Sequence, residues 1–305
     1  MKVNNIVNKW IRYNADYGIL FTFRFLILNR FKNDISYKHS IILSYLEQKY
    51  VDLITKYKHV KSKEENLQPN CPIWVCWYQG EANMPPIVKA CYASIKKHAA
   101  EHSVYLITLE NISDFVTIPD FIIEKVKRKQ ISLTHYSDII RNKLLSVHGG
   151  IWLDATIYLT DTLKGWNLPF YSLKQDKQTD LFFVSQYRWA GYCMGGVKGN
   201  IINSFVSDFF EEYHKRHSGL IDYFLIDYII AVGYRNIPSI RELIDRIPFS
   251  NPHIFFLDNN YNTNYNEQIF QKIKEDTNIF KLSWKSNKIT KRANSYYEKI
   301  IHNSI

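Results

Sequence analysis

The chain has 305 residues, 46% of them hydrophobic and 22% charged, and 39 Lys and Arg against 29 Asp and Glu leave a formal charge of +10. Such a composition excludes intrinsic disorder, which needs low hydrophobicity with high net charge, and a chain of this length can bury a substantial core. The basic excess suits phosphates, nucleic acid or an anionic membrane face and does not choose among them, while an aromatic content led by 22 Tyr suits carbohydrate or base sites as well as a Tyr-rich core.

Cys71, Cys76, Cys91 and Cys193 form no CxxC pair, which excludes a zinc ribbon or a secreted disulfide scaffold and points to a reducing compartment. The N-terminus lacks the charged, apolar and small-residue pattern of a cleavable signal, so a cytoplasmic protein is expected. Residues 1 to about 60 alternate apolar and basic positions and predict two or three helices, an appendage of residues 1–66 ahead of an α/β domain of residues 67–305. Within the appendage, Tyr17 to Phe31 (YGILFTFRFLILNRF) is too short to span a bilayer and carries Arg24 in its middle. It suits either a helix lying in an anionic membrane interface or one packed on the core. The polar run from Lys61 to Asn70 is the best linker.

PIWVCWYQG then reads as a buried strand ending at Gly80, MPPIVKACYASIKKHA as a helix begun by Pro85 and Pro86, and SVYLITL as a second strand. Strand, helix, strand predicts a parallel sheet. LTHYSDIIRNKLLSVHGG is the clearest helix, with Thr134 or Ser137 as its cap, Ile140, Leu144 and Val147 as its apolar stripe, and Gly149 at its left-handed end. IWLDATIYL follows as one β-rich run interrupted by Asp154. Further on come a strand LFFVSQ, a Gly-rich GYCMGGVKGN, helices near 201–216, 221–232 and Ser239, and a polar tail with one strand-like patch, IFKLSWK.

The chemistry concentrates in SDIIRNKLLSVHGGIWLDAT, residues 137–156. Asp138 and Arg141, three apart on a helix, share a face and can point together at a polyhydroxylated ligand, although taken alone a capping acid with an i+3 ion pair is the plainer explanation. Asp154 stands near a strand end, where carboxylates face the ligand crevice of an open α/β sheet. A diphosphate leaving group needs its developing charge neutralised, and a hard divalent cation held by oxygen ligands is one way to do it.

This block resembles the helix, Gly-Gly turn and DXD strand of glycosyltransferase family 32 and the related capsular polysaccharide synthesis proteins. The resemblance covers about residues 70–290 and implies a GT-A, Rossmann-like domain with a mixed, mainly parallel sheet. It also implies a retaining transfer from a UDP-sugar to a hydroxyl of a capsular or other cell-surface glycan precursor, lipid-linked at the inner membrane face. PIWVCWYQG resembles the family's uracil-binding first strand, so Trp77 inherits stacking and Cys76 and Tyr78 the backbone contacts. KLSWK resembles the loop that closes on the diphosphate and contributes Lys281, Ser283 and Lys285. Asp138 and Arg141 would hold donor-sugar hydroxyls, and Asp154 would be the first Asp of the DXD and the metal ligand for Mn²⁺ or Mg²⁺. The second DXD carboxylate is replaced by Thr156, which leaves Lys281, Lys285 and Arg residues as the other means of neutralising the diphosphate.

In DYFLIDY, Asp222 and Asp227 would lie about 140° apart on a helix, so at most one faces the site. Asp227 is the candidate for orienting the acceptor, with Asp222 and Trp189 as lesser acceptor contacts and solvated charges or a core Trp as the plain alternatives. His135 and His253 read as second ligands or ordinary polar residues. No Ser-His-Asp order, P-loop or GxGxxG turn is present, which excludes the common hydrolase, NTPase and dinucleotide readings, and no motif supports nucleic-acid binding. The competing function is a non-catalytic, membrane-peripheral assembly factor of polysaccharide synthesis with a degenerate donor site.

Overall fold

The structure is a computed structural model that describes residues 2–28, 34–177, 180–285 and 292–305, with the backbone alone for residues 2–6. It opens on helices α1 (Lys2–Tyr17) and α2 (Ile19–Phe23), separated by Gly18 at φ +82° and continued by a single π-helical turn, Arg24–Leu28. Helices α3 (Ile35–Lys49) and α4 (Val51–Lys58) follow, so breaks at Gly18 and Tyr50 give four helices where two or three are expected. The apolar run ends at Asn29 to Phe31, outside the described residues.

These helices share the core of the rest of the chain. Tyr13, Tyr17, Phe21 and Phe25 are buried in the same apolar cluster as the central strands. The Tyr13 hydroxyl donates to the Ile221 carbonyl at 3.1 Å, and the hydroxyls of Tyr17 and Tyr213 meet at 2.7 Å. Lys61 to Asn70 forms no helix or strand, and Leu67 within it is buried.

Strand β1 (Ile73–Cys76), helix α5 (Pro86–Lys97) and strand β2 (Val104–Ile107) form the expected parallel unit. Short helices α6 (Ile112–Phe115) and α7 (Asp120–Lys127) lead to α8 (Leu133–His148) and strand β3 (Gly150–Leu153). The cap of α8 is Ser132, whose side chain accepts from the His135 N–H, rather than Thr134 or Ser137. Its buried stripe is Ile139, Ile140, Leu144 and Leu145, whereas Val147 is 38% exposed because it falls on the outer face of the last turn.

IWLDATIYL divides in two. After β3 the chain turns at residues 154–156 and resumes as β4 (Ile157–Leu159), which leaves the main sheet and pairs antiparallel with β7 (Ile279–Lys281). Strands β5 (Phe170–Ser172) and β6 (Cys193–Gly196) complete the main sheet in the order β2-β1-β3-β6-β5. β1 runs parallel to β2 and β3, while β6 is antiparallel to both β3 and β5, so four of the five strands share one direction: a mixed, mainly parallel sheet.

LFFVSQ, expected as a strand, is a series of turns. Asp180 accepts from the Phe182 N–H, and Gln186 and Tyr187 take φ of +46° and +57°, which no strand allows. The helix expected at 221–232 starts later, as α10 (Leu225–Asn236), after α9 (Ile201–Arg216) and before α11 (Pro238–Asp245). The tail contains helices α12 (Phe256–Asn259), α13 (Glu267–Lys274) and α14 (Tyr296–Ile301), which the polar, Asn-rich composition hid. They build a second apolar cluster around Phe270, Phe280 and Tyr296.

The Gly149-Gly150 turn fixes the site by delivering α8 directly into β3. A Cβ on Gly150, which sits at φ +100°, would lie 2.3 Å from the Pro72 carbonyl oxygen, and one on Gly149 would lie 2.5 Å from the Lys198 nitrogen. Both obstacles are backbone, so neither can yield. Gly150→Ala is therefore expected to destabilise the protein by about 3 kcal/mol or more, read from the denaturation midpoint.

Candidate active site

In an open α/β sheet, ligands bind beyond the carboxyl ends of the strands where the chain reverses its direction of sheet growth. Here that point lies between β1 and β3, because the chain leaves β1 towards β2 and returns on the other side of β1 as β3. Trp77 follows β1 and Asp154 follows β3, so both flank the crevice.

Four charged groups meet at the β3 side. The Arg141 guanidinium pairs through Nη1 with Asp138 Oδ1 at 3.2 Å and donates from Nη2 to Asp154 Oδ1 at 3.1 Å. Lys281, at the end of β7, donates to Asp154 Oδ2 at 2.9 Å and to Thr156 Oγ1 at 2.6 Å. Trp152 donates its indole N–H to Asp154 Oδ1 at 2.9 Å and lies under Arg141, 5.0 Å from the ring centre to the guanidinium carbon. Burial pushes the Asp154 carboxyl up, but Lys281 and Arg141 outweigh it and hold the group below its usual range. It is a fixed anion at neutral pH.

Exposure separates the roles. The Arg141 side chain is 5% exposed and that of Asp138 12%, while Asp154 and Lys281 keep 28% and 21%. A ligand therefore meets Asp154 and Lys281 first. Arg141, expected to hold sugar hydroxyls, is paired with two carboxylates from beneath, and Asp138 is the more accessible of the helix pair.

On the β1 side, the rings of Trp77 and Trp284 meet edge-on at 5.5 Å, so the first strand and the C-terminal loop are brought together. The buried Trp77 indole N–H has no partner among the described residues. Lys285 lies 5.0 Å over the Trp284 ring, and the Ser283 N–H is fixed by Asp258 Oδ1 at 2.6 Å. Tyr78 donates to the Leu133 carbonyl and stacks on Tyr136, and burial pushes the Cys76 thiol up to about 12, so it stays protonated.

Asp227, on α10, is only partly exposed, and desolvation of its carboxyl pushes it up to about 7, with a hydrogen bond from Trp189 pulling down and the Asp138 charge adding to the rise. Trp189 donates to Asp227 Oδ1 at 2.8 Å and is itself only 3% exposed. A Trp held this way has no free face for a sugar to stack on; it positions Asp227 instead. Asp222 lies outside α10, where its carboxylate pairs with Lys38 at 2.6 Å and accepts from the Phe224 N–H, which accounts for it structurally. GYCMGGVKGN supplies β6, paired between β3 and β5.

His135 is a buried second-layer residue, with Nε2 2.8 Å from His214 Nε2 and Nδ1 3.6 Å from Asp138 Oδ2, while His253 faces Asp276 at 3.8 Å. Burial drives His214 down to about 2, so it is neutral. Three residues at the site escaped the sequence reading. Trp152 had a signal, being two residues before Asp154 and thus on the same face of the strand. Tyr192, under the Lys281 ammonium at 5.1 Å, lies in the Gly-rich segment and was hidden by its glycines. Tyr223 is 64% exposed overall, yet partial desolvation of its hydroxyl and then the Asp138 and Asp154 charges push that group up, and it stands beside the acids of DYFLIDY that drew the reading.

The donor set does not fit a divalent cation. The two oxygens of Asp154 are taken by Arg141, Trp152 and Lys281, and the Lys281 ammonium bonds both Asp154 and Thr156, in the place a cation shared by the two would take. Among the described residues, no group of three or more His, Cys, Asp or Glu is arranged to hold a metal.

The mixed, mainly parallel sheet and the charged cluster at its switch point define an α/β protein with a strand-end ligand site. Residues 24–300 match the family model described as capsular polysaccharide synthesis protein, and the chain belongs to that family. No curated protein matches the sequence. Among solved structures, the PaToxG glycosyltransferase is similar with 15% identity and a TM-score of 0.37, over 68% of this chain and 81% of that one.

Proposed function

We propose that the protein is a glycosyltransferase that moves a sugar from a UDP-sugar to a hydroxyl of a cell-surface polysaccharide precursor, with retention at the anomeric carbon. The observation that carries this reading is the juxtaposition of the Asp138–Arg141–Asp154–Lys281 cluster with the Trp77–Trp284 cleft across one sheet switch point. The cleft suits a uracil, held by ring contact and by the unpartnered Trp77 N–H; the cluster suits the diphosphate and donor sugar.

In the transfer, the bond between the anomeric carbon and the diphosphate oxygen breaks on the face the acceptor hydroxyl attacks. The hydroxyl oxygen bonds that carbon, and its proton passes to the departing diphosphate. Lys281 is the tethered cation that stabilises the leaving group; Asp154 and Thr156 fix its ammonium, so little reorganisation is needed as charge develops. Asp138 orients the sugar ring, and Asp227 orients the acceptor hydroxyl. The acceptor is a glycan or lipid-linked oligosaccharide, which places the enzyme at the inner membrane face.

A panel of UDP-sugars assayed for UDP release, with and without acceptor extracts, tests the reading. Release from one donor class supports it; no binding of UDP or any UDP-sugar would favour the non-catalytic assembly factor. Because Lys281 is the cation, EDTA should leave turnover unchanged, and Lys281→Ala should lose about 100-fold with no recovery in Mn²⁺ or Mg²⁺. Activity lost in EDTA and restored by Mn²⁺ would assign the role to a metal.

A further inference from the structure

The N-terminal helices bury only one side. Tyr13, Tyr17, Phe21 and Phe25 face inward, whereas Val7 is 50% exposed, Ile11 60%, Ile19 68%, Leu20 67% and Phe23 45%. On α1, Val7 and Ile11 are one helical turn apart and lie opposite Tyr13; on α2, Ile19 and Phe23 lie opposite Phe21. Tyr13 stacks on Phe25 at 5.5 Å, so the chain folds back at Gly18 and sets the two short helices side by side.

Five large apolar side chains so exposed on adjacent helices are more than scattered surface residues. Lys9 and Arg12 of α1 lean back over the Tyr13 ring, so the cation beside the exposed face is Arg24, and the one acid of α1, Asp16, is turned aside to accept from Ser218 at 2.9 and 2.8 Å. Arg24 also lines a cavity of about 400 Å³ between α2 and α3, floored by Leu20, Phe21 and Ile41 and edged by Ser44 and Gln48, with no acidic residue in its lining. An apolar floor with a guanidinium matches a lipid glycerol and its phosphate.

We propose that the outer faces of α1 and α2 dock on an anionic lipid bilayer, with Arg24 taking a lipid phosphate. This rests on the exposed face alone and extends the proposed function by giving the membrane contact an address. The face is joined to the active site through one short segment. Tyr13 and Tyr17 donate to the carbonyls of Ile221 and Gly219, just ahead of α10, which carries Asp227, so docking sets the start of that helix beside the surface that carries lipid-linked acceptors.

The test is co-sedimentation of the full chain with phosphatidylglycerol vesicles and with phosphatidylcholine vesicles, alongside UDP titration and thermal melts. The wild type should bind the anionic vesicles at least tenfold more tightly, and raising salt from 0.1 M to 0.5 M should weaken the binding. Ile19→Glu with Leu20→Glu, at positions 68% and 67% exposed, should abolish sedimentation, and Arg24→Gln should reduce it several-fold, both with UDP binding and melting unchanged. Equal partition to both vesicle types, or unchanged sedimentation in both variants, overturns the proposal. Light scattering that finds a dimer broken by the double Glu variant would assign the face to a second copy of the chain instead. UDP binding reports the donor site independently, so failure here leaves that assignment untouched.

Discussion

Asp154→Asn should cut UDP release from the productive donor by at least a hundredfold, and nearer a thousandfold, while the protein remains folded. Asp154 serves three side chains through two oxygens, Arg141 and Trp152 at Oδ1 and Lys281 at Oδ2, and its backbone carbonyl accepts from the Ile157 N–H in the turn to β4. An amide can keep Oδ1 on Arg141 and Trp152, but it then presents N–H donors to an ammonium that also only donates. Lys281 is released from the place where it would meet the diphosphate, and a preorganised electrostatic contact of this kind is worth about 10²–10³ in rate. The fold loses a carboxylate between two cations, and since Arg141 keeps Asp138 and Lys281 keeps Thr156 the cost is about 1–3 kcal/mol. A variant that releases UDP at the wild-type rate, or one that fails to fold, would remove Asp154 from the mechanism.

Asp227→Asn should do the reverse to stability while costing at least a hundredfold in transfer. Burial places the native carboxyl at about 7 against an ordinary 3.8, so between those values the folded state binds more protons than the unfolded one. The stabilisation from this group is therefore complete below about pH 4 and is lost as pH rises through 7; the shift of about three units sets an upper bound near 4 kcal/mol. Asn accepts the same bond from Trp189 without a charge to desolvate. The variant should melt several degrees above the wild type at pH 8 and show a flatter dependence from pH 5 to 8. A lower melt at pH 8, or the wild-type slope retained, would mean that the buried carboxylate is not under strain. A residue kept at a cost in stability is what a functional site requires.

The local signals of the sequence carry the centre of this account. The helix from Leu133 to His148, the glycine turn and the strand ending at Asp154 follow from periodicity and from two glycines whose Cβ positions are occupied by backbone. Lys281 was found by motif, because its reach to Asp154 across 127 residues depends on β4 pairing with β7. Trp189 and LFFVSQ show where residue type misleads. An indole beside a Gly-rich segment reads as a stacking platform until its burial and its bond to Asp227 are seen, and apolar, β-prone residues read as a strand until the positive φ of Gln186 and Tyr187 is known. For the Tyr17 to Phe31 run, core and interface are both open from the sequence, and over the described residues one face is buried in the core while the other is exposed.

The central claim is a nucleotide site in which a lysine takes the place of a metal. Isothermal titration of UDP into protein held in EDTA tests it most directly. One saturable site per chain is predicted, weakened at least tenfold by Lys281→Ala; absence of binding until Mn²⁺ is added, or binding indifferent to Lys281, would contradict it.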